Sequence, residues 1–515
     1  MVTTDVDRRD KVGGGVAPLA DGLLQVRVTQ ILHRRPAVGL AVGVVRDGSF
    51  SFDGQGLADI ETETRITEDT VFRIGSITKT LTGVAVMQLW EEGLIDLDSP
   101  ANDYLRTYWL VPEDDRWRPA TVRHLLTHTA GIPDVLHMRD LLHPAWGPFG
   151  SRPPLLSAAP GESLPPLAEY YRGAIRLVAE PGSAFAYSNH GFATLGQIVE
   201  DISGQPLDRY FRQRIFDPLG MSDTDLLRSE RIQPTLAKGY VLGSSGPEPV
   251  NDREWIGSAG GSVYASSRDM ARYLTALLGG GANQHGSILR PPTLQMMFEK
   301  HFQTDTRLPG VGLAFFRGDA GKHRIVIHDG ILPGFNSSLF LAPDDGVGVF
   351  GFTNGSSGAM VWLPDEVDGL LHELLEVAAN TERPDITHHP EIWGDLCGRY
   401  RLAPVGDLRG RVVMGGGAQV LVRGGRLIFR MLTPIPALYR GFPLLPDDDT
   451  DPYVFRLDLS PFGMAPVRLI FDREATAGKR VIHTDLGGWP ISLYEQPKPG
   501  RLRQRRGKSA TEAKK

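Results

Sequence analysis

The chain has 515 residues and a single cysteine, Cys397. One thiol excludes an internal disulfide and a cysteine-based zinc site. It reads as a small buried apolar residue rather than a nucleophile. Long apolar runs are also missing. The best, Ala-Val-Gly-Leu-Ala-Val-Gly-Val-Val at 37–45, is strand-length and far below the ~18 residues that cross a bilayer. The N-terminus, Met-Val-Thr-Thr-Asp-Val-Asp-Arg-Arg-Asp, lacks the apolar core of a signal peptide. The expectation is a cytoplasmic protein without a membrane span. Basic excess is absent as well: the formal net charge is −6, which gives no footing for nucleic acid. Lysine itself is scarce, ten of 55 basic residues.

What remains is ordinary globular material, 41% hydrophobic and 23% charged. The length suggests two or three domains. After a leader over 1–20, the apolar run 38–45, Arg-Asp-Gly and the alternating Ser-Phe-Ser-Phe read as a β-hairpin turning at Asp47-Gly48. From about Thr78 to Asp201 the signal is mostly helical, broken by Pro- and Gly-rich loops such as 150–167. Ser-Ser-Arg-Asp-Met-Ala-Arg-Tyr-Leu predicts a helix with a Ser or Asp start and a Gly stop. Strand signals return at 323–330, 337–343 and 346–355. Strands at both ends with helices between predict an α+β domain over 21–380, its terminal strands sharing one antiparallel sheet. A Pro-punctuated linker follows at 381–391. Short strands at close spacing then predict a small all-β barrel or sandwich over 392–497. The basic residues 498–515 read as a disordered tail. Repeats are lacking, and the Gly triplets at 13–15, 279–281 and 415–417 match neither phosphate-binding fingerprint.

One of the few lysines stands at the head of an apolar stretch, Gly-Ser-Ile-Thr-Lys-Thr-Leu-Thr-Gly-Val-Ala-Val-Met-Gln-Leu-Trp. Residues i and i+3 share a helix face, so Ser76 and Lys79 are neighbours on a helix beginning at Ser76. Apolar residues on nearly all sides predict burial. Burial weakens a lysine's hold on its proton, and a neutral amine can accept the Ser76 proton. Roughly 0.6 Ser-x-x-Lys matches arise by chance in such a chain, so the spacing needs support. A cap for Ser76 and a solvent-reaching Lys79 would be the plain alternative.

Support comes from Tyr187-Ser188-Asn189 and from His328-Asp329-Gly330 at a strand end. The order S-x-x-K, Y-x-N, [H/K]-x-G resembles the serine β-lactamase and penicillin-binding-protein superfamily. The stretches Phe72–Leu105, Thr121–Ile132, Phe185–Glu200, Gly257–Leu274 and His328–Phe335 resemble its class-C-type branch of D-aminopeptidases, esterases and β-lactamase-related hydrolases. The likeness covers about residues 25–380. The β-rich end resembles the lipocalin-like C-terminal domain of some such hydrolases.

The resemblance implies roles. Ser76 is the acyl-accepting nucleophile, with Lys79 and Tyr187 as its base. Asn189 orients the substrate or Lys79, and His328 stands at the cleft edge where many relatives carry lysine. Gly330 belongs to the same motif, and the N–H groups of Ser76 and Ile331 form the oxyanion hole. No cofactor is implied. His124 and His128 have a zinc-compatible i, i+4 spacing, but Leu125 replaces the glutamate of H-E-x-x-H and no third ligand is evident, so no metal is expected. The implied partner is a small carboxylic ester or a D-amino-acid-type amide or peptide. An acyltransferase, a β-lactamase or a non-catalytic sensor would share much of the sequence. Oligomeric state is not readable.

Overall fold

Residues 39–45 alternate between two apolar environments, and the fold follows from that. In the computed structural model, Leu40, Val42 and Val44 enter one buried cluster and Ala41 and Val45 another. A strand apolar on both faces belongs to a sheet covered on both sides. The structure describes residues 21–133, 157–377, 386–402, 416–462, 465–473, 478–485 and 488–497. The expected leader, the basic tail, residues 381–385 of the linker, residues 150–156 of the Pro- and Gly-rich loop, and most of 411–416, which the sequence also marks as one of the short strands of the β-rich end, lie outside the described residues.

Among the described residues the main sheet is antiparallel and has eight strands. From edge to edge they are Gly310–Val311, Phe316–Ala320, His323–Leu332, Phe335–Ala342, Val347–Thr353, Gly39–Arg46, Ser49–Asp59 and Thr64–Arg65. The N-terminal strand thus pairs with the C-terminal strand Val347–Thr353, Leu40 opposite Thr353 and Arg46 opposite Val347. The hairpin turns where the sequence predicts, with Asp47 and Gly48 both at positive φ, as a two-residue turn matched to strand twist requires.

Helices Asp21–Arg34 and Ala359–Leu374 cover one face through Leu24, Val28, Ile31, Trp362, Leu363 and Val367. Helix Ser267–Leu278 packs on the other, started by Ser266 and stopped at Gly279 as expected. Deeper in that layer, helix Thr78–Glu91 lies against helix Asn189–Ser203 and the turn Ser258–Gly260. Every side chain from Thr78 to Leu89 is buried, as the all-round apolar pattern predicts.

The C-terminal strands form a closed, antiparallel, up-and-down barrel of eight strands from Gly398–Leu402 to Ile491–Glu495. Two of them, Phe442–Pro446 and Arg480–Thr484, escape sequence reading. The first holds two prolines, normally a sign against a strand, and the second is short. Residues 390–396, at the expected linker–domain junction, form a helix. Tyr400, Phe429, Phe455, Phe471, Ile482 and Leu493 fill the barrel core, so its interior is packed like that of other small barrels. Cys397 is only half-buried, at the edge of this core; it ends the helix just before the first barrel strand instead of lying inside.

One contact between the barrel and the preceding chain is made by Leu308, which packs against Val454 and Ile470. Burying such a side chain is worth about 2 kcal/mol. The neighbouring Arg307–Asp451 ion pair is about one-third exposed on both sides, and such pairs are worth about 0–1 kcal/mol. Of these two contacts the apolar one contributes more.

Candidate active site

Ser76 does not begin the helix. It sits in the tight turn Gly75–Ile77 between the short strand Val71–Arg73 and helix Thr78–Glu91. The turn is tied on both sides: Ile74 N–H donates to the Val263 carbonyl (3.0 Å), and the Ser337 hydroxyl donates to the Ile74 carbonyl (2.6 Å). Gly75 has φ +52, and a Cβ there would stand 2.9 Å from the Ile331 nitrogen. A Cβ on Gly330 would overlap the Ile74 carbonyl and the Ser337 hydroxyl. These two glycines let the backbone around Ser76 and the backbone at Ile331 approach one another.

Lys79 is fully buried. Its Nζ lies 3.1 Å from Ser76 Oγ, 2.8 Å from Asn189 Oδ1 and 2.6 Å from the Gly260 carbonyl oxygen. Two of these partners can only accept. A neutral amine in this place would spend its two N–H groups on Asn189 and Gly260 and aim its lone pair at the Ser76 hydroxyl. The same arrangement with three N–H donors holds an ammonium. The site therefore accommodates the lysine before and after it receives a proton.

Asn189 is the first residue of helix Asn189–Ser203, whose cap is Ser188, with its Oγ accepting from Gly191 N–H (3.2 Å). Tyr187 precedes that cap, and its ring centroid is 4.8 Å from Lys79 Nζ. Two pairs of expected site residues, Ser76 with Lys79 and Tyr187 with Asn189, are thus brought together although more than a hundred residues separate one pair from the other.

His124 and His128 are not brought together. Helix Val122–Leu126 ends before His128. The His124 Nδ1 accepts from Thr121 N–H in a capping box, while His128 turns back at φ +56 and packs beside Tyr187, centroids 4.3 Å apart. In the sequence His128 stands out only as half of a pair at metal-compatible spacing. Its neighbour relation to Tyr187 had no local signal, nor did the acceptor role of Gly260, a backbone atom.

His328 is 2% exposed, buried rather than at an open cleft edge, with the Phe316 ring 5.5 Å away. Its Nδ1 lies 2.8 Å from the Asp329 carbonyl oxygen, an acceptor, so Nδ1 carries the hydrogen. Desolvation, then the nearby Lys79, pushes its pKa down to about 3, so the imidazole is neutral at pH 7. Ile331, by contrast, is 41% exposed.

Asp329 points to the opposite sheet face, as strand alternation requires. It accepts from the Ser338 hydroxyl (2.5 Å) and faces Asp365 and Asp368 on helix Ala359–Leu374. Desolvation, with added repulsion from those carboxylates, raises its pKa to about 7. Between the unfolded value of 3.8 and about 7, the native carboxyl holds a proton that the unfolded chain has lost. Stability therefore falls as pH rises through that window. Asp329→Asn keeps an acceptor for Ser338 and removes this loss. We expect thermal unfolding at pH 8 to show the variant more stable by about 2 kcal/mol, discounted for Asp329's partial exposure, with the gap closing near pH 4. A gap independent of pH would contradict the assignment.

Comparison with known proteins places this geometry in context. Residues 24–368, more than half the chain, match the Beta-lactamase family. A beta-lactamase of Yersinia enterocolitica is 26% identical over 362 residues, covering 67% of this chain and 84% of that protein. The D-alanyl-D-alanine-carboxypeptidase/endopeptidase AmpH of Escherichia coli K12 is 27% identical over 331 residues, covering 62% and 80%. Among solved structures, the octameric penicillin-binding protein homologue from Pyrococcus abyssi has a TM-score of 0.59 at 24% identity, covering 93% of this chain and all of that one. That likeness speaks for the fold.

Proposed function

The chain belongs to the beta-lactamase family, and on that premise we propose that it is a serine hydrolase whose acyl-enzyme forms on Ser76. The observation that carries this reading is the Lys79 amine, buried and placed 3.1 Å from the Ser76 hydroxyl by Asn189 and Gly260. In the proposed reaction Lys79, coupled to Tyr187, takes the Ser76 proton as Oγ attacks the substrate carbonyl. The N–H groups of Ser76 and Ile331 receive the developing oxyanion. The proton passes to the leaving alcohol or amine, and water then releases the acyl group by the reverse sequence.

The substrate we favour is a carboxylic ester or a D-amino-acid-type amide. Two relatives bear the names beta-lactamase and D-alanyl-D-alanine-carboxypeptidase/endopeptidase, and an activated serine can accept an acyl group from an ester, an amide or a β-lactam alike. In this chain the third motif offers a neutral His328 and an exposed aliphatic Ile331. Neither grips a carboxylate as a charge-assisted hydrogen bond would. Loss of one such bond costs roughly 1.5–3 kcal/mol, about 10- to 150-fold in rate when it acts in the transition state.

The test is a fluorophosphonate probe with peptide mass spectrometry, followed by p-nitrophenyl butyrate, D-amino-acid p-nitroanilides and nitrocefin. We expect an adduct on Ser76, and kcat/KM for the butyrate about 10-fold or more above that for nitrocefin. A higher kcat/KM for nitrocefin would overturn the argument from charge.

A further inference from the structure

Two aromatic rings stack on that of Tyr187. His128 lies with centroids 4.3 Å apart and planes inclined by 27°. Trp489 lies 4.9 Å away and is tilted by only 8°. Trp489 comes from the barrel, just before its last strand. Phe185 closes the side of the stack, 5.8 Å from His128 and 6.2 Å from Trp489.

We propose that His128 and Trp489 are positioning residues for Tyr187: both stack on its ring and hold it in place, and through Trp489 the barrel completes the active site. The inference rests on the reading of Tyr187 as part of the base.

The His128 half of the stack is built in. Its backbone occupies the left-handed region at φ +56, a conformation that costs a non-glycine residue energy and persists where surrounding contacts enforce it. Those contacts are here on Tyr187's own neighbours. The His128 carbonyl accepts from Ala186 N–H (2.8 Å), and its Nδ1 accepts from Ser188 N–H (3.1 Å). The residues before and after Tyr187 are therefore both tied to His128. An accepting Nδ1 requires a neutral ring, and burial lowers the His128 pKa well below its usual value.

The Trp489 half depends on barrel docking, held by Leu308 between Val454 and Ile470 and by Arg307 on Asp451. A face-to-face aromatic layer removes water from that side of the ring and limits its tilt. A base must lie within hydrogen-bond reach of the proton it handles, and a misplacement of about 1 Å can cost about 100-fold in rate. Loss of either stacked ring therefore acts on the chemical step more than on substrate affinity.

The experiment uses the full chain and four variants, Trp489→Ala, Trp489→Phe, His128→Asn and Ser76→Ala. Kinetics on p-nitrophenyl butyrate and the rate of fluorophosphonate labelling at Ser76 are measured for each. Asn tolerates positive φ, and its side-chain oxygen can still accept from Ser188 N–H, so His128→Asn removes the ring while keeping the turn. We expect Trp489→Ala and His128→Asn to lower kcat and labelling about 10- to 100-fold, with KM within about twofold. Trp489→Phe restores kcat to within about threefold of the wild type, because it returns an aromatic face. Unchanged kcat, a loss confined to KM, or a Trp489→Phe no better than Trp489→Ala overturns the proposal. Labelling of wild type and Trp489→Ala at equal rates does the same while leaving Ser76 as nucleophile. A wild type that takes no label at Ser76 overturns both readings.

Discussion

Replacing Ser76 by alanine is expected to abolish fluorophosphonate labelling and to lower kcat on p-nitrophenyl butyrate by on the order of a millionfold. The size of the effect follows from the proposed covalent route. Without Oγ there is no acyl-enzyme, and the oxyanion donors and binding contacts can support only direct attack by water. The same change should leave folding nearly intact. Ser76 is half-buried in the turn Gly75–Ile77, and no side-chain cap hydrogen bond starts that turn. What is lost is the contact with Lys79 Nζ at 3.1 Å, typically about 1 kcal/mol net. Thermal unfolding checks that point, so that an inactive variant is not mistaken for an unfolded one. An adduct on another serine, or a variant keeping a substantial share of wild-type turnover, would remove Ser76 from the mechanism.

Lys79→Met and Tyr187→Phe should each reduce kcat by about 10³-fold or more, and the double variant should be hardly worse than either alone. Groups that act as one unit fail together: once the amine or the phenol is gone, the remaining partner has no proton path to share. Both groups stand close to the nucleophile, with Nζ 4.8 Å from the Tyr187 ring centroid and 3.1 Å from Ser76 Oγ. Methionine is chosen for Lys79 because the site is fully buried, and a shorter residue would add a cavity to the chemical loss. It still leaves the Asn189 and Gly260 oxygens without the amine, a stability cost of about 1–3 kcal/mol for buried acceptors. Kinetics are therefore to be measured well below each variant's Tm. Losses that add in log rate would mean that Lys79 and Tyr187 work independently.

Much of the chemistry is written locally. A spacing of three places Ser76 beside Lys79 whether the intervening backbone is a helix or, as found, a tight turn running into one. Apolar residues on every side of Thr78–Glu91 mean burial in any packing that folds. Asp47-Gly48 between alternating strands selects its turn because few residue pairs accept two positive φ values. Alternation alone sets His328 and Asp329 on opposite faces of their strand, one toward Lys79 and one toward Asp365 and Asp368.

The rest was decided by tertiary contacts. Which carbonyl would face Lys79 could not be read from residue types, since the Gly260 acceptor is a backbone atom common to all of them. His128 lies outside the short helix of His124, and only the packing of its ring on Tyr187 distinguishes it from any other buried histidine. The depth of His328, which takes its pKa to about 3, depends on what covers the strand. Trp489 reaches Tyr187 from the far end of the chain because the barrel docks through Leu308. Periodicity and turn chemistry act over a few residues, so the sequence alone determined the local elements and the Ser76–Lys79 pair. Contacts between distant segments depend on the burial and fit of whole surfaces, so only the folded chain decided what surrounds that pair.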